Sequence, residues 1–243
     1  MLTQVTTLVI PAAGAGTRLR PMTYVVPKEL VRLVDKPIAY YLLAEAYQAG
    51  IRRVVFVIHE SNRLTKQFFE SGAAEPLLKD FPGLELSFVE TSERGGDGQA
   101  LLLAESFVAA EEAFAVTMGD LVPLLGQSLV AELVRAFEKN NEPVISVENV
   151  PREQTSQYGV IDPGSHDGRL YQVRGIVEKP LPKDAPSTLA MTGKYVLTPE
   201  IFDHLRALQA SGASGELKLA HALDRYARQK PLGAYECESP HYD

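Results

Sequence analysis

From Pro11 to Pro21 the chain reads Pro-Ala-Ala-Gly-Ala-Gly-Thr-Arg-Leu-Arg-Pro, directly after the apolar run Thr7-Leu8-Val9-Ile10. A strand that runs into small residues lets backbone N–H groups approach an anion closely, which is how phosphates are cradled. Two known phosphate motifs do not fit. A P-loop needs Gly-Lys followed by Ser or Thr, whereas Gly16 is followed by Thr17 and Arg18. A dinucleotide fingerprint needs a third glycine where Leu19 stands, and Asp35 precedes Lys36-Pro37 instead of closing a second strand. Taken alone, the loop also fits a tight strand-to-helix turn that binds nothing.

The next stretch favours an anion. Arg18 to Lys36 holds five basic residues (Arg18, Arg20, Lys28, Arg32, Lys36) against two acids (Glu29, Asp35). The whole chain of 243 residues carries 24 Lys and Arg against 31 Asp and Glu, a net charge of −7. A local positive excess in an acidic chain is a directed field suited to a small polyanion. Pro21, Pro27 and Pro37 stiffen this path, since each fixes its own φ. The overall acidity argues against nucleic-acid polymers as partners, because their affinity rests on Lys and Arg clusters. The lone cysteine, Cys237, allows no intrachain disulfide and lies between Glu236 and Glu238, which disfavour a thiolate. The five histidines are scattered without metal-ligand spacing and read as surface or structural. No apolar run approaches the ~18 residues of a membrane span, and the N-terminus lacks a basic leader. The expectation is a cytoplasmic protein without a membrane partner.

These residues need elements to hold them. Thr7–Ile10, Arg53–Ile58, Leu84–Val89, Ala113–Met118 and Pro143–Val147 read as strands. Helical spacing lies between them at 37–50, 61–71, 99–110 and 128–139, with Gly50 as a stop. This alternation predicts an α/β fold whose mainly parallel sheet is covered on both faces. Past about residue 150 the texture changes. Tyr158–Ile161, Leu170–Val177 and Leu189–Val196 read as strands with little helix between, a smaller antiparallel extension, and 199–208 and 217–227 read as helices. No repeat or linker marks a boundary, so the expectation is one domain over residues 1–243.

Several motifs in order carry a family resemblance. Gly14-x-Gly16-Thr17-Arg18-Leu19-x-Pro21-x-Thr23 is followed by Pro27-Lys28-Glu29-Leu30 and Val34-Asp35-Lys36-Pro37. Glu45-Ala46-x-x-Ala49-Gly50-Ile51, Gly119-Asp120, Tyr158-Gly159-Val160, Val177-Glu178-Lys179-Pro180, Gly193-Lys194-Tyr195-Val196-Leu197 and Gly215-Glu216-Leu217 come after. The set resembles the sugar-1-phosphate nucleotidylyltransferases, most of all their bacterial UTP–glucose-1-phosphate uridylyltransferases. The resemblance implies a Rossmann-like mixed sheet of the nucleotide-diphospho-sugar transferase type. It implies transfer of a nucleotidyl group from a nucleoside triphosphate, UTP first, to a sugar 1-phosphate, glucose 1-phosphate first, with release of pyrophosphate. A thymidylyltransferase, or a shortened non-catalytic nucleotide-sugar binding module, stands as the alternative.

The resemblance also assigns residues. It implies that Arg18 and Lys28 hold the triphosphate and the departing pyrophosphate. Ala12, Ala13, Gly14, Gly16, Thr17, Thr91 and Gly96 fall at nucleotide-binding positions. Gly159, Glu178 and Lys179 fall at the sugar phosphate, with Lys179 on the phosphate and Glu178 on the hydroxyls. Asp120 and Asp243 fall at Mg²⁺ ligands. Thr91 stands where the family reads the base with Gln, Gln99 where His is usual, and Ala220-His221 where Thr-Asp is usual. The family's C-terminal helices, which help subunits associate, would follow Asp243, so homo-oligomerisation is an open expectation.

Overall fold

The structure is a computed structural model, and it describes residues 4–111, 113–123, 127–212, 215–237 and 241–242. Nine strands form one sheet: β1 (Thr7–Ala12), β2 (Arg53–His59), β3 (Glu85–Thr91), β4 (Phe114–Thr117), β5 (Val144–Asn149), β6 (Gly159–Asp167), β7 (Leu170–Glu178), β8 (Leu189–Leu197) and β9 (Gly233–Glu236). Six principal helices accompany them: α1 (Ile38–Gln48), α2 (Arg63–Glu70), α3 (Asp97–Leu103), α4 (Leu129–Asn140), α5 (Ile201–Ala210) and α6 (Leu219–Ala227). The sheet order is β3-β2-β1-β4-β8-β5-β9-β7-β6.

The first half follows the pattern of its residues. Every residue of β1 is buried, as a strand covered on both faces requires. It pairs in parallel with β2, from Thr7 opposite Arg53 to Ala12 opposite Ile58, and with β4 on its other side. Alternation along the strand divides its side chains between two cores. Val9 joins Val55, Leu101, Phe114 and Phe202 on the face of α3, α5 and α6. Leu8 and Ile10 join Leu42, Phe56 and Phe137 on the face of α1 and α4. Helix α1 ends where expected, with Gly50 at φ 84° and the Ile51 N–H donating to the Ala46 carbonyl at 3.0 Å.

Two expectations are corrected and one strand is added. The parallel run does not continue from β4 to β5, because β8 lies antiparallel between them. All of β8 except Gly193 is buried, and a strand buried on both faces belongs in the middle of a sheet. The added strand, β9, pairs in parallel with β5, although Gly233-Ala234 carries too weak a strand signal to be read. Second, the helix expected over 99–110 is two pieces, Asp97–Leu103 and Glu105–Val108. The antiparallel extension is real: β6 and β7 form a long hairpin, with Glu178 opposite Gly159.

Candidate active site

The carboxyl ends of β1 and β4 open onto one cleft, the place where ligands sit in sheets of this kind. After β1 the chain turns through Gly14, where an added Cβ would meet open space. Gly16 then takes a left-handed conformation at φ 60° and starts a 3₁₀ turn over Thr17–Leu19. Its carbonyl accepts a hydrogen bond from Thr23 Oγ1 at 2.6 Å, and a Cβ there would lie 2.9 Å from Thr23 Cγ2. The loop is therefore held from behind by the chain that carries Lys28.

Three charges meet at its mouth. Asp120 Oδ2 lies 2.8 Å from Arg18 Nη2 and 3.6 Å from Lys28 Nζ. Arg18 is largely exposed, whereas Lys28 is 8% exposed. Burial alone would raise the Asp120 carboxyl, but Lys28 and Arg18 outweigh it and hold the group below the usual carboxylate range. Behind them Glu29 is fully buried, and neither of its carboxyl oxygens has a hydrogen-bond partner among the described residues. Burial pushes it up to about 7, against the pull of Lys28. A Cβ on Gly119 would lie 3.5 Å from both Glu29 Oε1 and Lys28 Nζ, so the Asp120 turn passes directly over this pair.

The cleft has two compartments. One, of about 440 Å³, is lined by Ala13, Gly14, Lys28, Thr91 and Gly96 among others. The second, of about 650 Å³, is lined by Tyr158, Gly159, Glu178, Lys179 and Gly193 among others. Thr17, Arg18, Asp97, Met118 and Asp120 line both, so the Arg18–Asp120 pair stands at the seam. Each volume suits a small-molecule site of a few hundred cubic ångströms. Two compartments joined at Arg18 and Asp120, with Lys28 beside them, can hold two anionic substrates with their phosphates facing.

The first compartment's far wall is pinned by backbone. The Leu217 N–H donates to the Gly95 carbonyl at 2.7 Å, and the Gly98 N–H donates to the Leu217 carbonyl at 2.9 Å. Gly96, at φ 96°, would place a Cβ 2.6 Å from that carbonyl. In the second compartment a Cβ on Gly159 would lie 2.5 Å from Met191 Cε and 3.2 Å from Glu178 Oε2. Met191 and Glu178 therefore close over the Gly159 backbone, and a side chain there would displace their tips. Lys179 adopts a left-handed φ of 49°, and its N–H donates to the Tyr158 carbonyl at 2.9 Å. A lysine in that conformation is costly.

Most residues singled out from the sequence thus converge. Ala12 and Gly16 do not line the cleft: Ala12 is buried at the end of β1, and Gly16 acts through its conformation. Asp243 lies outside the described residues. The basic stretch divides. Lys36 hydrogen-bonds Asp80 at 3.3 Å and lies 3.7 Å from the Tyr40 ring centroid, while Arg20 packs over Tyr24. Only Arg18 and Lys28 of the five line the cleft. Two wall residues were not legible. Asp97 Oδ1 accepts the N–H groups of Gly98 and Leu219, both at 2.9 Å, tying the glycine loop to the start of α6. Arg94 donates to the Ala13 carbonyl at 2.8 Å and to Ser61 Oγ at 2.9 Å, joining that loop to β1. An acid opening a helix is the signal that could have found Asp97. Nothing local marks Arg94.

Among the described residues no group of three or more His, Cys, Asp or Glu could hold a metal ion. Mg²⁺ does not require one, since it commonly takes one or two carboxylates and completes its shell with water and substrate phosphates. Asp120 at the seam has the right chemistry; Glu29 lies sealed behind it.

The nucleotidyl transferase family model matches residues 7–239. The chain belongs to this family. It is 39% identical, over 97% of its length and 86% of the other protein's, to UTP–glucose-1-phosphate uridylyltransferase 2 of Staphylococcus saprophyticus. It is 38% identical, over 97% and 85%, to the UTP–glucose-1-phosphate uridylyltransferase of Bacillus subtilis. Its fold matches a crystal structure of UDP-glucose pyrophosphorylase complexed with UDP-glucose, with a TM-score of 0.88, 30% identity and coverage of 99% and 93%. The UTP-bound enzyme from Acinetobacter baumannii matches with a TM-score of 0.81, 27% identity and coverage of 99% and 88%. The mixed sheet flanked by helices is therefore the family's architecture.

Proposed function

We propose that this chain transfers the uridylyl group of UTP to glucose 1-phosphate, forming UDP-glucose and releasing pyrophosphate. The observation that carries this reading is the pair of compartments sharing Arg18 and Asp120. The smaller one takes the nucleotide, with Gly14, Thr17, Thr91 and Gly96 along its wall. The larger one takes the sugar phosphate, with Lys179 beside the phosphate and Glu178 accepting hydrogen bonds from sugar hydroxyls.

In the reaction a phosphate oxygen of glucose 1-phosphate attacks the α-phosphorus. The new P–O bond forms as the bond to the β-phosphate oxygen breaks, and pyrophosphate leaves with that electron pair. No enzyme nucleophile is needed, so catalysis rests on positioning and charge. Arg18 can grip phosphate oxygens through two N–H groups, and Lys28 acts as a point charge beneath them. Both cations face Asp120; phosphate oxygens would draw them off that carboxylate. Mg²⁺, held by Asp120 and the phosphates, would add positive charge where negative charge builds up. The single, partly buried Cys237 suits a reducing compartment, and we place the enzyme in the cytoplasm.

Incubation with UTP, glucose 1-phosphate and Mg²⁺ is expected to release pyrophosphate and yield UDP-glucose, with dTTP a poorer donor. Faster turnover of dTTP would make it a thymidylyltransferase. UDP-glucose binding with no pyrophosphate from any triphosphate would make it a binding module and overturn the proposal.

A further inference from the structure

A second ion pair lies directly behind the turn that presents Asp120, and none of its side chains reaches the cleft. Lys194 and Glu45 are both fully buried and lie 2.5 Å apart. Lys194 Nζ also donates to Thr117 Oγ1 at 3.0 Å and to the Leu121 carbonyl at 3.1 Å. An ammonium has three donors, so every one is used. Glu45 Oε1 accepts the Val130 N–H at the start of α4 at 3.1 Å.

The contact with Leu121 matters most. Residues 118–121 form a turn, closed by the Leu121 N–H on the Met118 carbonyl at 3.3 Å. One end of it hangs on β8 through the Met118 N–H and the Gly193 carbonyl at 3.0 Å. The other end hangs on the Lys194 ammonium. Consecutive residues of β8 thus hold both ends of the turn, and the same strand lines the sugar compartment through Met191, Thr192 and Gly193. A shift of pairing register between Met191 and Tyr195 creates this arrangement. Gly193 sits there at φ 87°, and Ser146 Oγ bridges the Lys194 N–H at 3.1 Å and its carbonyl at 2.8 Å.

We infer that the buried Lys194–Glu45 pair positions the Asp120 turn for the divalent cation and keeps it in register with the sugar compartment. Lys194 is a positioning residue that acts through the Leu121 carbonyl. A buried pair of opposite charges is weak evidence for stability, because a well-packed neutral pair often does as well. Its specific product here is the fixed distance between the turn and β8. The inference rests on the reading of Asp120 as the metal ligand.

The test compares parent, Glu45→Gln/Lys194→Met and Asp120→Asn. Seating of Mn²⁺ on the enzyme–UTP complex is read by water-proton relaxation, alongside UDP-glucose affinity in chelator. The double variant is expected to hold Mn²⁺ about tenfold or more weakly, in the range typical for supports of metal ligands. Its UDP-glucose affinity should stay near the parent's, and the metal concentration for half-maximal rate should rise more than kcat falls. A folded double variant that holds Mn²⁺ like the parent, while Asp120→Asn loses it, overturns the inference alone. Retention of Mn²⁺ by Asp120→Asn overturns the metal reading of Asp120, and the inference with it. If the double variant does not fold, Thr117→Val frees one ammonium donor while keeping the charges paired. A weaker Mn²⁺ site in that variant supports the inference, and an unchanged one overturns it.

Discussion

Two ion clusters flank the turn from Met118 to Leu121, and they differ in net charge, in exposure and in how fully their donors are used. On the cleft side Arg18, Lys28 and Asp120 meet with one short contact and one of 3.6 Å. On the core side Lys194 and Glu45 are sealed, and every ammonium donor is used. An open cluster can exchange partners when phosphate arrives, since its loss of protein contacts is offset by new ones. A sealed cluster cannot exchange without leaving a charge bare in a medium of low dielectric constant. The same residue types therefore serve as a binding device on one side and as a scaffold on the other.

The comparison breaks most visibly if one core charge is removed. Lys194→Met alone should destabilise the protein by about 3–5 kcal/mol, the usual cost of a buried charge left unpaired. Urea unfolding checks this, and a loss below about 1 kcal/mol would make the core cluster no different from a surface pair. On the cleft side, Lys28→Ala should lower kcat/KM by about 10²–10³-fold, as loss of a preorganised charge donor does. Steady-state kinetics with UTP and glucose 1-phosphate would reveal it; an unchanged rate would remove Lys28 from the reaction.

Glu29 sharpens the contrast, because it is buried like the core pair yet lacks its partners. Its folded value of about 7 lies above the ordinary 4.5. The folded state therefore holds an extra proton between those values, and the ligand-free protein loses stability as pH rises through that window. At ~1.4 kcal/mol per unit the loss is about 3 kcal/mol. Glu29→Gln should remove this fall, matching the parent in acid and exceeding it at about pH 8, as read by unfolding midpoints. A parent as stable at the upper end as at the lower would refute it. The smallest effect belongs to Arg18→Gln, whose exposed pair should change stability by no more than about 0.5 kcal/mol. Calorimetric unfolding that showed a larger loss would place Arg18 in the scaffold.

Much of this was readable in order along the chain. The strand before Pro11 and the small-residue loop after it need only local rules, because strand patterning and glycine conformations act over a few residues. Gly14, Thr17, Arg18, Lys28 and Asp120 were all recognised by motif, and the fold brings them to one cleft. The insertion of β8 between β4 and β5 was not readable, since β8 comes 40 residues after β5 ends and local patterning does not say where a buried strand inserts.

By itself, then, the sequence determined the residue types that meet phosphate and the order of the elements that bear them. Tertiary structure decided where the other cations of the basic stretch turn. Lys28 stays beneath Asp120, while Lys36, eight residues on, turns to Asp80 and Tyr40. It also decided that Glu45 and Lys194, 149 positions apart, share one sealed contact. The physical reason is the range of the forces involved. Backbone preferences act between neighbours in sequence, whereas charge pairing and burial act between neighbours in space, and only the packed sheet defines those.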